Sequence, residues 1–330
     1  MTKDEKIKAY GAWCAICFFW GTTYLAIRVG VQVLPPALFA GSRFLLAGLI
    51  FLVYLRAKGI AWPRPAELLN MAIVGISLLN MANGLVVWAE QWVPSGLASL
   101  IVATLPFWTA GFEAVIPGGA KLTWRKIAGI LIGFAGLMIL FFPDLRQGFN
   151  LTYLKGVLGL LLAAGFWAGG SVYSKYHPIK THPLMAAAMQ MLIAGILFML
   201  AGALLGQYRR FTFHINGILA IVYLVFFGSI VGYSSYIYAL TKLPATKVAM
   251  YAYVNPVVAV FFGWLILDEH VDGTVFLAIA IILLGVVLVN SSRSASVPQQ
   301  VAEHFDDPTG QKVILEKKIK LGNNVINPDL

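Results

Sequence analysis

The residues of this 330-residue chain that could hold another molecule lie inside long apolar segments. There a polar side chain is costly and faces a pocket or a neighbouring helix. In the segment 68–90, Asn80, Asn83, Gly84 and Val87 share one helical face through their i, i+3, i+4, i+7 spacing, and Gln91 extends it. Cys17, Trp20, Tyr24 and Arg28 do the same in the segment 10–33. Trp167, Ser171 and Ser174 line up in 154–174, and Ser229, Gly232, Tyr233 and Tyr236 in 216–240. Thr104 and Trp108 are one turn apart, and Tyr253 and Asn255 fall in 246–267. Amides and hydroxyls among π faces bind rather than break bonds. A pocket bounded by Trp20, Tyr24, Asn80, Asn83, Thr104, Trp108, Trp167, Tyr233, Tyr253 and Asn255 would suit an amphipathic or cationic small molecule. The plainer alternative is interhelical hydrogen bonding by the asparagines, worth on the order of 0.6 kcal/mol in a membrane, with the aromatics as core packing.

Charges near these segments are few. Arg28 and Glu90 stand toward one end of the first and third segments, Arg43 within the second, and Glu113 near the far end of the fourth. Arg28 and Glu90 could form a rim ion pair, or Glu90 could serve as a proton site. No acidic residue falls at mid-segment, which argues for uniport, exchange or proton coupling at the rim. Pro106 and Pro256 each remove a backbone donor and bend a helix. They are candidate gating points, although proline is also tolerated in membrane helices without a role. Cys14 and Cys17 have redox or metal spacing but no second ligand pair, and read as small buried hydrophobes. His177, His182, His214, His270 and His304 all fall in loops or the tail, so no intramembrane nucleophile–base pair or metal cluster assembles. An enzyme is therefore disfavoured, and neither a metal nor a cofactor is expected.

The elements that must position these residues follow from composition. Hydrophobic residues make up 59% and charged residues 12%, against roughly a quarter charged in a soluble domain. Such a chain cannot build a water-soluble surface. Apolar stretches run over about 10–33, 37–55, 68–90, 96–116, 126–143, 154–174, 184–206, 216–240, 246–267 and 273–290. Each is about the length that crosses a bilayer, and with no water to satisfy the backbone they must be helices. The N-terminal segment is too long for a cleaved signal and reads as an uncleaved first span. The net charge of +10 sits in the short loops, because the tail from Ser291 balances five basic against five acidic residues. That distribution obeys the positive-inside rule and excludes a nucleic-acid face. Lys3, Lys6, Lys8, Arg56, Lys58, Arg64, Lys121, Arg125 and Lys126 lie on one side, with Lys175, Lys180, Lys242 and Lys247. Both termini are thereby expected in the cytoplasm.

The chain also repeats. Trp20-Gly21 and Trp167-Ala168, Pro36 and Pro183, and Ala47-Gly48 and Ala194-Gly195 stand 147 positions apart. Ala89 and Ala239, Pro94 and Pro244, and Pro106 and Pro256 stand 150 apart. A unit of five spans is odd, so its second copy enters the membrane from the opposite side, the inverted-repeat plan of secondary transporters. The expected organisation is a cytoplasmic N-terminus 1–9, repeats over 10–143 and 154–290, and a cytoplasmic tail 291–330. The expected fold is an all-α membrane protein of ten transmembrane helices.

These motifs carry a family resemblance. Trp20-Gly21-Thr22-Thr23-Tyr24, Ala82-Asn83-Gly84, Ala89-Glu90 and Val93-Pro94-Ser95-Gly96 belong to it. So do Ala103-Thr104-Leu105-Pro106, Trp167-Ala168-Gly169-Gly170-Ser171, and Tyr251-Ala252-Tyr253-Val254-Asn255-Pro256 followed by Asp268-Glu269. The chain resembles an EamA-type member of the drug/metabolite transporter superfamily over residues 10–290. The resemblance implies a pocket lined by spans 1, 3, 4, 6, 8 and 9, and a secondary transporter, as an exporter of amino acids or amphipathic and cationic metabolites, in a bacterial inner membrane. Its partners would be a small-molecule substrate and the bilayer. A receptor or channel is the alternative, and a membrane enzyme a weaker one.

Overall fold

A computed structural model describes residues 2–117, 121–147, 151–243, 248 and 250–291. The tail 292–330, expected in the cytoplasm, lies outside the described residues. Among the described residues every regular element is helical. Helix α1 (Lys3–Val31) starts earlier than its apolar segment, because Thr2 and Glu5 form a reciprocal capping box that nucleates it in a polar stretch. Helices α2 (Pro36–Ala57), α8 (Leu151–Tyr176) and α9 (Pro183–Leu204) coincide with apolar segments to within a few residues. The N-terminal prolines of α2 and α9 sacrifice only a donor that a helix start leaves unpaired.

Two long rods are irregular in the middle. The first runs α3 (Pro65–Gly75), a π-helical stretch (Ile76–Asn83) and α4 (Gly84–Ala89). The second runs α10 (Ile215–Tyr223), a π-helical stretch (Leu224–Val231) and α11 (Gly232–Lys242). The two π stretches are eight residues each. A third rod breaks at Ala103–Thr104 between α5 (Ser95–Val102) and α6 (Leu105–Val115). Pro106 thus sits in the first turn of α6, whereas Pro256 lies inside α12 (Tyr251–Leu267). Helices α7 (Trp124–Gln147) and α13 (Gly273–Ser291) complete the described set. Seven helices are long and apolar enough to cross a membrane, and the shorter apolar helices Tyr251–Leu267 and Gly273–Val289 come close to that length.

Helix α1 packs on the α10–α11 rod and on α12, and α8 packs on the α3–α4 rod and on α5 and α6. Helix α2 lies along α9, and α7 along α13. Both of the latter seams need small residues. A Cβ on Gly48 would meet the Leu192 nitrogen at 2.9 Å, and one on Gly195 the Leu45 nitrogen at 2.6 Å. A Cβ on Gly129 would meet the Gly285 carbonyl at 2.6 Å. Gly129 and Gly133, which form a G-x-x-x-G pair, therefore face helices of the same chain. Large apolar side chains such as Val53, Leu69, Leu131 and Leu204 point outward.

Replacing Gly195 by leucine forces a side chain against the α2 backbone, which cannot rotate away. Overpacking of this kind costs about 1–3 kcal/mol. The thermal unfolding midpoint of the purified protein in detergent should fall by on the order of 5 °C. An unchanged midpoint would mean that α2 and α9 do not approach this closely.

Candidate functional site

The irregular rods surround a cavity of about 140 Å³. A water needs roughly 10–15 Å³ by the same measure, so the space admits a molecule of amino-acid size. Trp20 and Tyr24 reach it from α1, Arg43 and Phe44 from α2, Asn83 and Ser229 from the two π stretches, and Ser99 from α5. Trp167 of α8, Tyr233 of α11 and Tyr251 and Asn255 of α12 close it. The walls are mostly apolar, aliphatic and aromatic together, with a few polar groups converging, the usual make-up of a small-molecule site.

Several of these groups are held by the backbone irregularities. A π turn bonds i to i+5 and is frequent at functional sites. In the second π stretch the Gly228 carbonyl accepts a hydrogen bond from Trp20 Nε1 at 3.1 Å. The Trp20 ring also stands edge-on to Tyr251 at 5.0 Å and tilted against Tyr236 at 5.3 Å. Gly232 must be glycine, since a Cβ there would collide with the Trp20 indole nitrogen. Asn255 sets its amide against the carbonyls of Tyr251 and Cys17 at 3.0 and 3.1 Å, so the group facing them is its NH2. Arg43, 6% exposed, bridges the two π stretches. Its Nε donates to Ser229 Oγ at 3.4 Å and its Nη1 to Asn83 Oδ1 at 3.5 Å. The cavity thus carries a fixed positive charge.

The rim differs from the expected ion pair. Arg28 does reach Glu90, but Nη1 donates to the main-chain carbonyl of Glu90. Both carboxylate oxygens of the fully buried Glu90 lack hydrogen-bond partners among the described residues. Nearby, Glu269 accepts hydrogen bonds from the Ser95 and Gly96 nitrogens at 2.6 and 3.0 Å. That carboxylate caps the N-terminus of α5, where unpaired donors and the helix dipole favour an anion.

Of the candidates from sequence, Trp20, Tyr24, Asn83, Trp167, Tyr233, Asn255 and Pro256 line the cavity. Asn80, Thr104, Trp108, Tyr253 and Pro106 do not. Asn80 donates to the Ala194 carbonyl of α9 at 3.1 Å, because the wider π turn carries it off the face of Asn83. Thr104 is fully buried and bonds back to Ile101 at 2.7 Å. Trp108 lies over Gly165, with ring atoms 3.5 Å from where a Cβ would stand, and the Tyr253 hydroxyl donates to the Val286 carbonyl at 3.4 Å. Arg43, Ser99, Ser229 and Tyr251 line the cavity without having been singled out as binding residues. The signal for Arg43 was present: a lone arginine within an apolar span is by default a functional residue.

Comparison with known proteins agrees with this architecture. The EamA-like transporter family model matches twice, over residues 7–142 and 154–291. The "uncharacterized inner membrane transporter YedA" of Escherichia coli (strain K12) is 38% identical over 88% of this chain and 92% of its own. A "probable amino-acid metabolite efflux pump" from the same organism is 28% identical over 82% of this chain and 90% of its own. A crystal structure 21% identical in sequence shares the fold with a TM-score of 0.60, covering 88% of this chain and 98% of that one.

The Trp20–Gly228 hydrogen bond offers a test of the site's geometry. Trp20→Phe keeps an aromatic ring but strands the Gly228 carbonyl, at a cost of about 1–3 kcal/mol. A lowered unfolding midpoint, with normal membrane insertion, is the expected outcome in a thermal-melt comparison. A wild-type midpoint would mean that the indole N–H makes no such bond.

Proposed function

The chain belongs to the EamA-like transporter family, and from that premise we propose that it is a secondary exporter of small organic metabolites working by alternating access. In this reading ten spans form two inverted five-helix repeats, over 10–143 and 154–290, with both termini cytoplasmic in a bacterial inner membrane. The observation that carries it is the cavity, whose walls come from both halves of the chain: α1, α2, the first π stretch and α5 on one side, α8, α9, the second π stretch and α12 on the other. A site shared between two repeats is what rocking one half against the other would expose alternately.

Three features support the repeat. The family model matches each half separately. The π stretches correspond at a spacing of 148, from Ile76 to Leu224, between the 147 and 150 of the sequence motifs. The packing partners also exchange: α1 with α10–α11 and α12 answers to α8 with α3–α4 and α5–α6. Substrate choice is guided by the relative named as an amino-acid metabolite efflux pump, which puts such metabolites first in a screen.

Counterflow into proteoliposomes preloaded with amino acids, amines or sugars tests the activity, with and without a pH gradient. Counterflow of no compound in the panel would overturn the transporter reading. Trp167 has an aromatic wall position and, among the described residues, no side-chain hydrogen bond to lose. Trp167→Ala should therefore cut counterflow by about tenfold or more through lost aromatic contact, at matched protein levels. Undiminished counterflow would remove Trp167 from the site. For topology, a single cysteine at Lys58 in a background lacking Cys14 and Cys17 should resist an impermeant reagent added outside intact cells. Labelling from outside would reverse the orientation.

A further inference from the structure

The inference rests on the transporter reading and concerns the chemistry of what the cavity accepts. A guanidinium has five N–H donors and stays charged in proteins. Among the described residues those of Arg43 meet only Ser229 Oγ at 3.4 Å and Asn83 Oδ1 at 3.5 Å. Both acceptors are neutral, and both distances exceed the usual hydrogen-bond range. No carboxylate lies within 4.0 Å, since the ion pairs among the described residues are Lys175–Glu113 and Lys242–Glu5. A buried charge without a counter-ion is costly, so the cavity lacks one negative charge. Space for it exists in the cavity that Arg43 lines, where its Nη2 has no acceptor among the described residues.

We propose that Arg43 is the recognition point for the carboxylate of the transported molecule. Ser229 and Asn83 hold Nε and Nη1, and the remaining donors present a planar fork that suits a carboxylate. One guanidinium balances one carboxylate, whereas a phosphate monoester brings nearly two negative charges and would leave one unpaired. The rest of the molecule is apolar or aromatic, because Trp20, Trp167 and Tyr24 line the same cavity. A simple cation, which the aromatic residues alone would favour, is repelled by the same guanidinium.

The test compares four compounds sharing one benzyl body, titrated against the unfolding midpoint of the purified full-length protein: L-phenylalanine, 3-phenylpropionate, L-phenylalaninamide and phenethylamine. The carboxylates should stabilise wild type at concentrations at least about tenfold lower than the amide and amine, equivalent to 1.4 kcal/mol. Stabilisation by both carboxylates supports recognition of the carboxylate alone, and by phenylalanine only, recognition of it beside an amine. Arg43→Gln should bring the ratio to about one, and Arg43→Lys should retain part of it. The proposal is overturned if the carboxylates stabilise wild type no better than the amide or amine, or if the tenfold preference survives in Arg43→Gln. Should Arg43→Gln fail to fold, the wild-type series decides. Counterflow of the amine without carboxylate preference would overturn this inference and keep the transporter. Carboxylate binding with no counterflow of any compound would do the reverse.

Discussion

Hydrocarbon offers the backbone no hydrogen-bond partner, and the organisation of this protein follows from that constraint. Where a helix faces lipid its amides and carbonyls must pair within the helix. Irregular backbone survives only where other groups take up what it frees, or where a cavity solvates it. The departures from α geometry follow that rule. The π stretches Ile76–Asn83 and Leu224–Val231, the break at Ala103–Thr104 and the proline inside α12 all contribute to one cavity. The Gly228 carbonyl, accepting from Trp20 of another helix, shows how one such departure is held.

Two kinds of contact surround that centre. The α2–α9 and α7–α13 seams are glycine-mediated, with backbones so close that a single Cβ does not fit. Tight, dry seams of this kind resist change in spacing, since dense packing is bistable rather than deformable. Around the cavity the contacts are single hydrogen bonds between helices: Trp20 to Gly228, Arg43 to Ser229 and Asn83, and Glu269 to the start of α5. Such bonds can be exchanged one at a time for bonds to water or to a ligand. The proposed alternating access would draw on both the stiff seams and the exchangeable centre.

Much of this was legible in the residues. Hydrophobic length located the helices, and helical spacing together with depth in the span singled out Trp20, Tyr24, Asn83, Trp167, Tyr233 and Asn255, which line one cavity. Three of the failures come from assuming continuous α-helix. Periodicity assumes 3.6 residues per turn, so Asn80 was put on the face of Asn83, although a π turn separates them. Thr104 and Trp108 were read from one continuous span that in fact breaks beside Thr104. Tyr253 was placed by depth alone, and depth does not say which way a helix faces. Arg43 was noted only as one of the few charges, although a lone arginine in an apolar span already marks a functional residue; that it lacks a counter-ion is visible only once the neighbouring helices are in place. The Glu269 cap joins residues 174 positions apart and has no local signal.

The spacing of 147 that relates Pro36 to Pro183 also relates Arg43 to Gln190, a buried but uncharged residue of α9. Two identical subunits meeting about a shared axis must bring every charge in duplicate, and two guanidiniums facing one small cavity would repel each other across it. A single chain carrying both copies escapes that rule. It can keep the arginine in one half and drop it in the other, so that a cavity lined by both halves carries a single charge. If Arg43 receives the carboxylate as proposed, a guest has one way round to sit. Broken symmetry of that kind is open to a fused duplicate and closed to the homodimer it resembles.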